Sequence, residues 1–146
     1  MIFLDFCSAL PSLLIDTLTY LNVYFHLNST SHLASLKGTD LKSFLEKCFG
    51  IAYERVLDFA PSEELLKEYQ NRLGKKRKDD VAWANCVGKF QHEVLSRPVV
   101  ERFRKATDGL SVVCLLCYEE TADRCHRRLL AEHFKNQVPD IELQHL

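Results

Sequence analysis

The sequence predicts an α/β fold, a mostly parallel sheet flanked by helices, in a single domain covering residues 1–146. Three observations predict it. Stretches with apolar residues at helical spacing alternate with short apolar runs, the order of helices and strands in a layered sheet domain. One run, Leu110–Cys117 (LSVVCLLC), is apolar almost throughout, as a central strand covered on both faces must be. The length of 146 residues, 47% of them hydrophobic, is enough to bury one core.

The opening stretch, MIFLDFCSALPSLLIDTLTYLNVYF, carries no Lys or Arg before Lys37, unlike the basic start of a signal peptide. Asp5, Pro11 and Asp16 interrupt it too often for the roughly 20 apolar residues of a spanning helix. It therefore predicts buried strands, no membrane association and a cytoplasmic protein whose six cysteines stay reduced. Within Ser12–Leu21, Leu13-Leu14-Ile15 runs into Asp16, a strand whose end brings a carboxylate towards a pocket. Tyr20–Ser35 mixes polar and aromatic residues and is expected to be an irregular loop.

Thr39–Phe49 is the clearest helix, with Leu41, Phe44, Leu45 and Cys48 at helical spacing and Gly50 placed to end it. Ile51–Leu57 alternates like a strand. Ser62 caps a second helix that begins with two glutamates and ends near Leu73-Gly74. A third helix is expected from about Asp80 to Leu95, burying Trp83, Val87, Phe90 and Val94. Pro98 suits the first turn of a fourth, which stops at Asp108-Gly109. After the apolar strand at Leu110–Cys117, a helix runs from about Arg124 to Asn136, Pro139 breaks the chain, and Ile141–Leu146 is a last strand or a loose tail.

A net charge of −1 excludes a whole-molecule field that draws in nucleic acid. The basic run Lys75–Lys78 is followed at once by Asp79-Asp80 and has no interleaved aromatic residues, so it is expected to be a solvated connection. His92 and His133 fall on helices as surface or boundary residues.

The chemistry-bearing segment is Cys114 to Arg128. Ligands of open α/β sheets bind beyond the carboxyl ends of the strands, where Cys117 and Glu119 fall. The next helix begins near Cys125, turning its free N–H groups towards the same space. A helix start also lowers the pKa of a nearby thiol, and Arg124, Arg127 and Arg128 add positive charge. Three readings stay open. The first is an anion pocket for a phosphate-bearing small molecule or a nucleic-acid end. In it Arg127 and Arg128 hold the anion, His126 orients it, Asp16 or Glu119 acts as a base, and Cys117 or Cys125 is a candidate nucleophile. The second is a non-catalytic interaction module. The third is a Cys/His metal site using Cys117, Cys125 and His126, which is one ligand short of a closed zinc site. Against all three stands the bland account in which buried cysteines fill core and arginines solvate a helix face. No cofactor is expected.

The order Leu-Leu-Cys, an acidic loop, then Cys125-His126-Arg127 opening a helix resembles the domain-of-unknown-function 488 family. Leu14-Ile15-Asp16, Ser31-His32-Leu33-Ala34, Asp40-Leu41, Gly50-Ile51-Ala52-Tyr53 and Ala60-Pro61-Ser62-Glu63-Glu64 are similar to that family's other blocks, in the same order. The resemblance spans about residues 13–134. It implies an α/β fold and a pocket where Asp16, Ser31, Cys117, Glu119, Cys125, His126 and Arg127 converge, and it implies no particular reaction. Two departures stand out. Leu18 occupies the place of an arginine usual after the first block's aspartate, and Met1–Pro11 does not clearly supply the family's opening strand and glycine turn. A degenerate copy of the family pattern is therefore a further alternative.

Overall fold

The computed structural model describes residues 2–6, 23–26, 38–73, 79–116 and 122–145. Five strands appear among them: β1 (Ile2–Phe6), β2 (Val23–His26), β3 (Ala52–Glu54), β4 (Val112–Leu116) and β5 (Glu142–His145). They align in the order β3-β2-β4-β1-β5, every neighbouring pair parallel. The helices are α1 (Gly38–Phe49), α2 (Glu63–Leu73), α3 (Asp80–Phe90), α4 (Val99–Ala106) and α5 (His126–Gln137).

The expected architecture, a mostly parallel sheet flanked by helices, is corrected by this inventory. Helix dominates the described residues: the helices run eight to twelve residues, the strands only three to five. The placement of strands changes as well. Val23–His26 is strand where an irregular loop was expected, whereas Ile2–Phe6 is a strand as the opening apolar stretch predicts. The expected strand ending at Asp16 lies outside the described residues. The strand expected over Ile51–Leu57 shortens to β3, because the chain turns into a 3-10 turn at Leu57–Phe59 and buries Phe59. The tail does form a strand, β5, after Ile141 is buried.

Local chemistry sets several helix ends. Ser62 Oγ accepts from the Leu65 N–H at 3.2 Å and opens α2. Asp79 Oδ1 accepts from the Ala82 N–H at 3.0 Å and opens α3. Gly50 and Gly109 stand at φ +66° and +73° after α1 and α4, a left-handed conformation that suits residues without a Cβ.

The long third helix expected from Asp80 to Leu95 is instead α3 followed by a π-helical turn, Gln91–Leu95. Its inward face is also shifted. Ala82, Cys86, Phe90 and Val94 are buried, while Trp83 is only partly so and leans on Tyr69 with ring centroids 5.7 Å apart. Within the wider turn, the Glu93 carboxylate reaches the start of α2. It accepts from the Ser62 N–H at 2.6 Å and from the Ser62 hydroxyl at 3.0 Å. Two donors at one helix entry therefore depend on a side chain from another element. Glu93→Ala is expected to lower stability by about 1–2 kcal/mol, the scale of a lost cap and charged hydrogen bond. A thermal melt superimposable on that of the unmodified protein would show that the link contributes nothing.

The core lies where α3, the π turn, α4 and α5 meet β4. Val113, Leu115, Phe59, Phe103, Leu130 and Phe134 have no exposed surface. Phe134 is its centre: its ring stacks on Phe103 at 4.2 Å and meets Phe59 edge-on at 5.4 Å. Among the described residues no helix is long and apolar enough to cross a membrane.

Candidate functional site

β4 ends at Leu116, and the chain re-enters the described residues at Ala122. A turn closed by the Cys125 N–H donating to the Ala122 carbonyl at 3.3 Å then delivers Cys125 as the residue that precedes α5. Cys125 is extended (φ −116°, ψ 134°), its thiol does not cap the helix, and no acidic residue occupies the first turn. By contrast, α2 and α3 both begin with side-chain caps and acidic first turns.

The inward face of α5 carries His126, Arg127, Leu130, Ala131 and Phe134. Arg127 thus sits one turn before Leu130 and Ala131, in register with the core, and its whole side chain is shielded from solvent, with 0% exposure. A guanidinium keeps its charge at any ordinary pH, and burying a charge is tolerable only where opposite charge or acceptors surround it. His126 is 8% exposed, and its imidazole lies against the Phe90 ring with centroids 6.0 Å apart and planes at 40°. Cys125 is 0% exposed.

The other two arginines, both half-buried, are engaged by neighbouring groups. Arg128 Nε donates to Glu132 Oε1 at 2.9 Å, and its Nη1 donates to the Asp123 carbonyl at 3.2 Å. Arg124 forms an ion pair with Asp80 in the first turn of α3, tying the turn before α5 to that helix. Of the residues expected at the site, Cys125, His126 and Arg127 are brought together at the start of α5, with Arg128 facing outward. Asp16, Ser31, Cys117 and Glu119 lie outside the described residues. Neither the tilted contact of His126 with Phe90 nor the Arg124–Asp80 tie was expected from the sequence, because each joins residues far apart in the chain. The burial of Arg127 did have a signal, its place in the stripe of Leu130, Ala131 and Phe134.

Among the described residues no group of three or more His, Cys, Asp or Glu side chains is arranged to hold a metal ion. The described cysteines divide sharply: Cys48 is exposed, whereas Cys86, Cys114 and Cys125 are buried. With a thiol reagent and peptide mapping, Cys48 is expected to react first among these four and the buried three only on the timescale of unfolding. Rapid modification of Cys125 in the folded protein would contradict its burial. Burial, with Glu68 nearby, also pushes the Cys86 thiol up to about 11, and burial pushes the Tyr53 hydroxyl up to about 12. The unfolded chain ionises both groups at lower pH, from their ordinary values near 9 and 10. Their contribution to stability is therefore full below pH 9 and is lost as pH climbs through 11 and 12.

A family model described as DUF488-N3a, the active DUF488-N3 subclade, matches residues 46–138, well over half of the chain. The chain belongs to the DUF488 family. The matched span of this DUF488 domain contains β3, β4, all helices from α2 onward and the Cys125-His126-Arg127 block, and it leaves Asp16, Leu18 and Ser31 outside. No curated protein and no solved structure matches the chain.

Proposed function

We propose that this DUF488 domain binds a phosphate-bearing ligand, a nucleotide or a nucleic-acid end, at the start of α5. The observation that carries this reading is Arg127, a permanently charged side chain with 0% exposure in a helical first turn that contains no acidic residue. The path of the chain adds support. β2 leads on to β3 at one edge and β4 to β5 at the other, so the strands diverge beside the end of β4, where open sheets take their ligands. Arg127 and the α5 N–H groups hold the anion, with Arg128 and Ser31 as the outer contacts. His126 orients the ligand or exchanges a proton with it, and Asp16 or Glu119 serves as the base. Of the two candidate nucleophiles, Cys117 in the segment after β4 is the better one, since the burial of Cys125 favours a packing role. Membership of a subclade described as active supports a working site.

The competing reading is a non-catalytic interaction module, which Leu18 favours because a basic group usual in the family is missing there. One titration separates the two. Inorganic phosphate and a mononucleotide are added to the isotope-labelled protein while the amide resonances of residues 125–128 are followed. Saturable shifts confined to that turn support the pocket. Resonances that stay in place at millimolar ligand leave the interaction module as the surviving account.

A further inference from the structure

We infer that Phe90 is a positioning residue for His126, holding the imidazole at the first residue of α5 where it meets an anion bound by that helix start. This rests on the pocket proposed above and names the element that orders it. His126 is nearly buried, so its ring needs a packing surface, and the Phe90 ring lies 6.0 Å away at 40°. Phe90 is itself 1% exposed and belongs to the central core. It is also the last residue of α3, where the backbone widens into the π turn that carries Val94, at 0% exposure, back into the same core. π-helical turns inside helices recur at functional sites. Here the turn pins Phe90 between a regular helix and a second buried anchor, leaving its ring little freedom. A tilted contact with a buried ring restricts the rotamers of His126 before any ligand arrives, which makes the bound geometry cheaper to reach.

The test uses the full chain with labelled histidine and inorganic phosphate as the probe. Phe90→Leu keeps an apolar side chain in the core but removes the aromatic face. Phe103→Leu makes the same change at an equally buried position that stacks on Phe134. Phe90→Leu is expected to move the His126 ring-proton resonances and to weaken phosphate binding about fivefold, the scale of one aromatic pair. Phe103→Leu should lower stability while leaving both readouts as they were. Phe90→Tyr retains the ring and should bind phosphate as the unmodified protein does. If Phe90→Leu does not fold, Phe90→Met replaces it, with the same expected loss. Unchanged phosphate affinity in the leucine or methionine variant overturns the inference while leaving the pocket intact, provided Arg127→Met has lost binding. Absence of phosphate binding by the unmodified protein removes the pocket and this role together.

Discussion

Phe134→Ala is expected to destabilise the protein by about 3–5 kcal/mol, the range for removing a buried phenylalanine and leaving a cavity. The ring has no exposed surface, stacks on Phe103 and meets Phe59 edge-on, so it is the shared contact of three elements. Those elements are α5, α4 and the 3-10 turn after β3. The cavity cannot close easily, because Leu130 and Ala131 fill the neighbouring positions of the same helix and are themselves fully buried. A chemical denaturation series reads the loss directly. A change below 1 kcal/mol would mean that the core relaxes around the gap, contrary to the packing described.

Arg127→Met is expected to abolish phosphate-induced stabilisation altogether and to lower intrinsic stability by about 3–5 kcal/mol, as removal of one member of a buried charged arrangement does. A ligand that binds only the folded protein raises its stability as its concentration rises. The unmodified domain should therefore melt progressively higher in increasing phosphate, and the variant should show a flat response. Arg127→Lys keeps a charge but loses the planar fork, and it should recover only part of either effect. Retention of the full phosphate response by Arg127→Met would remove the arginine from the site.

Some of this was legible along the chain because its causes are local. Ser62 and Asp79 sit where short polar side chains cap helices, and each accepts the backbone hydrogen bond that its position implies. The apolar run before Cys117 became β4 for an equally local reason: nothing from Val112 to Leu116 is polar. Four residues at Val23–His26 are too few to display an alternation, so β2 was hidden in a mixed stretch. Trp83 drew the inward face of α3 towards itself by bulk, whereas the smaller Ala82 and Cys86 are the ones that point in. The π turn has no compositional signature and follows from packing at both its ends. At the candidate site, the adjacency of Cys125, His126 and Arg127 is a matter of sequence, but their depth is not. Only the coincidence of Arg127 with the stripe of Leu130 and Phe134 hinted that its charge turns inward.

The π turn also bears on which changes in chain length the protein can accept. An ordinary helical register from Phe90 onward would rotate every later residue of that segment about the axis. Glu93 would swing off Ser62, and Val94 would no longer face the interior beneath Phe90. Residues 91–95 should therefore tolerate exchanges of side chain at His92, which is exposed, far better than the insertion of a further residue. An insertion scan would find this stretch brittle although much of it lies at the surface.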